Sequence, residues 1–247
     1  MINNMQVEGF VISITKYKES GSIVNLLTKE GIVTFNAHGS LKINSPSAII
    51  CQLYNKVKIE LSESSKSGYK TLKEGIVISN FTKIYDNLEA ILTLSFVVDL
   101  CKKVAQTGDN ISSIYDLLDL TFNAVLNEIP LGLIRVAFMA QLIILSGLRI
   151  NVSECVRCGS KKKILSLSYR DGGFICQNCF QNEDIVMSTT YIKLVRYLFI
   201  AEYKEILTKN LPMPDCYQLF IDLYKFFVDE IGISSKSYKL LQKASFL

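Results

Sequence analysis

Tryptophan is absent from this 247-residue sequence, and His38 is its single histidine. One imidazole excludes multi-histidine metal centres. It also leaves a cysteine nucleophile no supporting base motif, because His38 sits in Ala37-His38-Gly39 at a strand end. Neither GxGxxG nor GxxxxGK[ST] occurs, so the common dinucleotide and nucleotide phosphate loops are missing. The opening residues MINNMQVEGF lack a basic segment followed by an apolar core, so no signal peptide is expected. No unbroken apolar run of spanning length is present: Ile129–Leu148 carries Pro130, Arg135, Gln141 and two glycines, and reads as a buried helix. An excess of one charge is lacking too. Lys and Arg number 27 against 23 Asp and Glu, a formal charge of +4, so an anionic partner must be met by local patches.

What is present is hydrophobic patterning, with 49% apolar residues and enough length for a real core. Residues 1–80 alternate with period two. Phe10, Ile12 and Ile14 interleave with Val11, Ser13 and Thr15; Val57, Ile59 and Leu61 interleave with Lys56, Lys58 and Glu60. Ile23–Thr28 and Ile32–Ala37 flank the hairpin signal Lys29-Glu30-Gly31, and SESSKSG turns the chain before Tyr69–Ser79. About five short strands predict a small closed barrel, which has no free edges. From 81 to 150 the period becomes helical. Leu88, Leu92, Phe96 and Leu100 follow a cap at Asp86; Ile114, Leu117, Leu118, Phe122 and Val125 form a second helix; Ile134, Phe138, Leu142 and Leu145 form a third. Later helices are expected from Ser188 or Thr189 to Ala201, from Asp215 to Glu230, and from Ser237 to Phe246. Net charge is +3 over 1–80, −2 over 81–150 and +3 over 151–247, which favours the barrel and the C-terminal part as polyanion surfaces.

Seven cysteines are present, and four form Cys155-Val-Arg-Cys158 and Cys176-Gln-Asn-Cys179, that is CxxC-x17-CxxC. Two intervening residues let one knuckle aim both sulfurs at one ion, and seventeen allow a hairpin that returns the second knuckle to the first. Gly159 and Asp171-Gly172-Gly173 supply turns. The expected cofactor is one structural zinc, which staples the thin segment 151–185 and leaves no open coordination position for catalysis. A pair of dithiol switches is the alternative. Lys161, Lys162 and Lys163 either meet phosphate or solvate a turn. Cys51, Cys101 and Cys216 lie among apolar neighbours and read as small core residues. The cysteine usage points to a reducing, cytoplasmic compartment.

The order of parts, a barrel, helices, a four-cysteine insertion and more helices, resembles the RecO family of bacterial DNA repair proteins. Local stretches carry the resemblance along the whole chain: Glu8-Gly9-Phe10-Val11-Ile12 with Tyr17-Lys18-Glu19-Ser20, Leu27-Thr28-Lys29-Glu30-Gly31, Ala37-His38-Gly39, Leu145-Ser146-Gly147-Leu148 before Cys155 and Cys158, Gly172-Gly173-Phe174-Ile175-Cys176, and Ser235-Lys236-Ser237. The resemblance implies an α+β chain: an N-terminal OB-fold β-barrel (1–80), then an all-α helical domain (81–247) with an inserted zinc ribbon (151–185). It also implies binding of single- and double-stranded DNA, strand annealing, and loading of recombinase with a RecR partner onto DNA coated by single-stranded DNA-binding protein. That role lies in the cytoplasm, on the nucleoid, with no membrane. The family's basic run after the small-x-Gly element shrinks here to Lys42 within Ser40–Pro46, and the proline of its Gly-Tyr-x-Pro element is missing.

An OB barrel binds DNA without reading sequence, through lysines on phosphate and aromatic rings on bases. The candidate contacts are Lys16, Lys18, Lys42, Lys56 and Lys58, with Phe35, Tyr17 and Tyr54 as stackers. The resemblance further implies binding of the acidic, apolar tail of the single-stranded DNA-binding protein, which needs an apolar pocket edged by a cation, for which Arg135 and Arg149 are the candidates. Annealing needs no general acid or base, so the chain is expected not to be an enzyme. Two rivals are a protein-interaction adaptor with little DNA affinity and a nucleic-acid enzyme carrying an accessory zinc ribbon.

Overall fold

The computed structural model describes residues 2–64, 68–108 and 110–244. Residues 65–67 of the expected turn and Ser245 and Phe246 of the expected last helix lie outside the described residues. The chain packs as two compact units, one running to Ile91 and including Val98–Leu118, the other comprising Leu92–Val97 and the chain from Asp119 onward.

In the first unit, β1 (Ile2–Tyr17), β2 (Gly21–Thr28), β3 (Gly31–Ala37), β4 (Lys56–Ser64) and β5 (Lys70–Ser79) close into a barrel of order β1-β2-β3-β5-β4. The β3–β5 pair is parallel and the others antiparallel, the arrangement of an OB-type barrel. Closure depends on the length of β1. Its first part pairs with β4 and its second with β2, and a bulge between Val11 and Ser13 marks the second part. A bulge bends the strand and raises its twist. At the crossover, a Cβ on Gly9 would collide with the Leu27 carbonyl, so this position needs glycine. Val11, Val24, Leu26, Phe35, Val57, Ile59 and Leu61 fill the barrel. Phe10 faces the other way and packs on Tyr115, ring centroids 5.5 Å apart. A short helix absent from the sequence reading, α1 (Pro46–Ile50), follows Ser45, whose hydroxyl accepts from the Ala48 N–H.

The helices α2 (Leu88–Ala105) and α3 (Ile111–Leu126) contribute residues to both units. The cap of α2 is Asn87, one residue beyond the expected Asp86, and its side chain accepts from the Ala90 N–H. The apolar stretch forms α4 (Leu131–Leu145), buried along most of its length. Among the described residues, no helix is long and apolar enough to cross a membrane. A three-stranded sheet follows: β6 (Asn151–Cys155), β7 (Ile164–Ser168) and β8 (Gly173–Cys176), with β8 central. Ser188 caps α5 (Thr189–Ile200), and a single turn α6 (Tyr203–Ile206) precedes α7 (Met213–Ile231). Pro214 lies in the first turn of α7, where its missing N–H costs nothing, so the helix starts ahead of Asp215. The last helix, α8 (Lys236–Lys243), begins one residue before the expected Ser237. Phe96 of α2 meets Phe138, Phe220 and Tyr224, with centroids 5.3–6.2 Å apart. Tyr238 stacks on Tyr224 at 3.8 Å, and the Tyr224 hydroxyl accepts from the Ser235 N–H, which seals α8 onto this aromatic core.

Candidate metal centre and nucleic-acid interface

The two knuckles meet as their spacing predicts. Cys155 ends β6, Cys176 ends β8, and the Sγ atoms of Cys155, Cys158, Cys176 and Cys179 all lie within 4.8 Å of one another. The Cys158–Cys176 separation is 3.6 Å. A tetrahedral thiolate site with bonds of about 2.3 Å has sulfurs about 3.8 Å apart, whereas a disulfide needs about 2.05 Å. The four thiols therefore fit a single metal ion. Gly159, at φ 73°, turns the first knuckle so that its N–H donates to the Cys155 carbonyl at 2.8 Å. Burial by itself raises the Cys155 thiol, but hydrogen bonds from the backbone at Cys176, Arg157 and Cys158 outweigh it and bring the group down to about 6. The sheet is anchored on its own unit: Arg196 of α5 donates to the Val152 carbonyl at 2.9 Å and lies 5.3 Å from the Phe174 ring centroid, and Tyr169 stacks on Phe226 of α7 at 5.1 Å.

Arg157, inside the first knuckle, was not among the residues the spacing singled out. Its guanidinium donates to Asp171 in the β7–β8 turn, to Asp184 beyond the second knuckle, and to the Cys179 carbonyl at 2.7 Å. One side chain thus ties three loops of the ribbon together. The Asp184 side chain is only 3% exposed. Hydrogen bonds from Arg157 hold the carboxyls of Asp171 and Asp184 below the ordinary carboxylate range. A depressed folded-state value contributes stability above the unfolded carboxylate pKa of about 3.9 and loses it as pH falls through the folded value. Asp184→Asn should therefore lose metal to a chromophoric chelator faster than wild type at pH 7, where the clamp carboxylates are fully ionised. Equal release rates at neutral pH would show that the clamp does not hold the ribbon.

The five barrel lysines divide into two groups. Register places Lys16 opposite Ser22, and Ser22 opposite Ala37, so the β1–β2 turn and the segment after β3 share one end of the barrel. The Leu41 N–H donates to the Ser20 carbonyl at 3.1 Å, and the Ser22 and Ser40 hydroxyls are 2.7 Å apart. Lys16, Lys18 and Lys42 are exposed there, and Lys18 Nζ lies 5.2 Å from the Tyr17 ring centroid. His38 is exposed at the same end. Lys56 and Lys58 do not join them. Lys56 Nζ sits 3.8 Å from Glu8 and 5.5 Å from the Phe10 ring centroid, and its side chain is 17% exposed. Lys58 stands opposite Glu8 and lines a depression with Glu60 and Glu74. Of the three proposed stackers, Tyr17 is exposed, whereas Phe35 and Tyr54 are buried and available to no base.

The arginines divide as well. Arg135 is fully buried in α4, donating to the Thr93 hydroxyl at 3.0 Å with the rings of Tyr217 and Phe220 about 6 Å away. It cannot edge a surface pocket, because a helix that is apolar on every side is packed on every side. Arg149 is exposed and lines a 620 Å³ depression with Ile144, Leu148 and Phe199. Lys161, Lys162 and Lys163 are exposed in the loop between β6 and β7. Burial pushes the Cys51 thiol up to about 12, the Cys216 thiol to about 11, and the Cys101 thiol higher still, which suits inert core residues.

Both parts of the chain match one family. Residues 1–81 match the profile described as Recombination protein O N terminal, and residues 85–213 match Recombination protein O C terminal. The DNA repair protein RecO of Bacillus pumilus is 30% identical over 179 residues, covering 71% of this chain and 68% of that protein. Its namesake in Listeria welshimeri is 29% identical over 245 residues, with 95% and 92% coverage. That of Halalkalibacterium halodurans is 22% identical over 241 residues, with 96% and 94% coverage. With the two profiles in order along a barrel and a helical unit that carries a four-cysteine ribbon, the chain belongs to the Recombination protein O, or RecO, family.

Proposed function

We propose that this chain is a non-catalytic mediator of DNA repair and homologous recombination in the RecF pathway. It binds single- and double-stranded DNA through its barrel and anneals complementary strands. With a RecR partner it helps load RecA onto DNA coated by single-stranded DNA-binding protein. The relatives' shared name, DNA repair protein RecO, supports the DNA-repair part of this reading. The observation that carries the DNA-binding reading is the gathering of Lys16, Lys18 and Lys42 with exposed Tyr17 at one end of an OB-type barrel. Such a face needs no catalytic group. It releases counterions from two phosphate backbones and screens their repulsion while base pairing supplies the energy. Cys155, Cys158, Cys176 and Cys179 would hold one zinc ion, whose role would be structural because four thiolates leave no open position for chemistry. The depression edged by Arg149 has the apolar floor and cationic rim that an acidic, apolar protein tail requires. The site of action is the cytoplasm, on the nucleoid.

Salt titration tests this. Binding of fluorescent single-stranded DNA should weaken steeply as salt rises. Replacing Lys16, Lys18 and Lys42 together by Ala should lower the log–log slope by about 2, at about 0.7 per phosphate contact, while Lys56→Ala leaves it near the wild-type value. A wild-type protein that shows no DNA binding even at low salt would instead be an adaptor that reaches DNA through its partner.

A further inference from the structure

The segment between β3 and α1 displays apolar side chains where the DNA-facing lysines lie. Ile43 is 92% exposed, and Leu41 and Tyr17 are each 43% exposed. An isolated exposed isoleucine is unremarkable in a folded protein. Here, though, the segment is braced. The Lys42 N–H donates to the Gly39 carbonyl, the Ser45 N–H to the Lys42 carbonyl, and the Ser45 hydroxyl to the Gly39 carbonyl at 2.6 Å. Asn44 takes a left-handed conformation, φ 61°, to complete the turn. The bond from Leu41 to Ser20 fastens this tip to the β1–β2 turn. Among residues 14–22 and 36–49 the charged side chains are Lys16, Lys18, Lys42 and a single acid, Glu19.

We propose that Ile43, with Leu41 and Tyr17 exposed at the same end of the barrel, is an apolar wedge that inserts against unstacked bases of single-stranded DNA while the three lysines hold the adjoining phosphates. The inference rests on the DNA-binding reading above and names the side chains that would meet the bases. Nucleic acid fits this end of the barrel because it alternates flat apolar faces with anionic phosphates, and the tip alternates apolar side chains with cations. Apolar wedges that unstack base steps, and rings that stack on single strands, are established uses of such residues. A protein partner would need acidic groups around an apolar knob-receiving pocket, and is the competing occupant.

The test uses the full-length, metal-loaded protein and a single-stranded oligonucleotide containing 2-aminopurine, whose emission rises when it is unstacked. Ile43→Ser removes a solvent-exposed side chain, so folding should be unaffected. It should weaken DNA binding about fivefold to tenfold, the low end of what one aromatic base contact contributes, as suits an aliphatic side chain, and abolish the emission rise. The salt slope should stay at the wild-type value, because no phosphate contact is lost. Ile43→Trp, which offers a larger stacking face, should restore or exceed wild-type affinity. An Ile43→Ser protein with unchanged affinity and an unchanged emission rise overturns the wedge, even where the triple lysine variant lowers the slope and the DNA-binding reading stands. Loss of a protein partner by Ile43→Ser with DNA binding intact overturns it as well. A wild-type protein without salt-dependent DNA binding removes the reading and the wedge together.

Discussion

Cys176→Ser should abolish zinc binding at the four-thiol cluster and leave the 151–185 segment without its fold. Cys176 ends the central strand β8 and is buried, with its sulfur 3.6 Å from Cys158. The three-stranded sheet around it has strands of four and five residues, too short to hold together on ladder hydrogen bonds. Structural zinc contributes on the order of 10–16 kcal/mol of apparent binding energy in small domains, and that energy is folding energy. A serine hydroxyl keeps the size of the thiol but not its charge or softness, so the remaining three thiolates should hold zinc far more weakly. Metal analysis should read one zinc per wild-type chain and almost none for the variant. Protease should then cleave the variant between residues 156 and 187, where the wild type resists. Cys158→Ser should be milder in the apo fold, because Cys158 is exposed, but should lose metal equally. Two disulfides and no zinc in the wild-type protein would reverse the reading in favour of a dithiol switch.

The second large effect belongs to Arg135. Truncation to Ala removes a fully buried guanidinium from the N-terminal half of α4, the helix packed most extensively against α7. It leaves a cavity beside Tyr217 and Phe220 and takes the Thr93 hydroxyl's 3.0 Å donor away. Core truncations cost about 2–5 kcal/mol and an orphaned buried hydroxyl about 1–3 kcal/mol, a large share of a typical total stability of about 5–15 kcal/mol. Urea unfolding should show the transition of this unit moved to distinctly lower denaturant. Arg135→Lys should fall between, since it keeps charge and stem but not the planar group lying against two rings. If Arg135→Ala unfolds at the wild-type midpoint, the side chain is not a core element. The variant also bears on recognition of an acidic tail: affinity lost by Arg135→Ala should track lost fold, whereas Arg149→Ala should weaken tail-peptide binding with stability intact.

Much of this architecture was legible along the chain. Alternation at Val57, Ile59 and Leu61 identifies a strand whatever its partners, because opposite sides of a strand face different media. Helical spacing at Leu88, Leu92, Phe96 and Leu100 does the same for α2, although the choice between Asp86 and Asn87 as cap needed the observed bond to Ala90. The four-thiol cluster was legible because a CxxC knuckle is a local device and the returning hairpin requires only enough chain. Arg157 lies in plain view between two ligands, but its carboxylate partners Asp171 and Asp184 are 14 and 27 residues away, and only the folded ribbon brings them to it. Strand β6 lies outside the hairpin that the knuckle spacing predicts and was hidden for a similar reason, since five residues with a parallel partner carry too little pattern to be read alone.

By itself the sequence determined the barrel's strands, the helical succession and the four-thiol spacing, because each follows from local periodicity or short spacing. The tertiary structure alone decided which charges are available. Lys56 and Lys58 alternate with core residues as Lys16 and Lys18 do not, but pairing of β1 with β4 sets Glu8 beside them, while the β1–β2 turn and the segment after β3 bring Lys16, Lys18 and Lys42 to a common end. Phe35, Tyr54 and Arg135 look like binding residues by type and are core by position. A side chain's chemistry is carried by its identity, but its use depends on whether water can reach it, and that is a property of the packed whole.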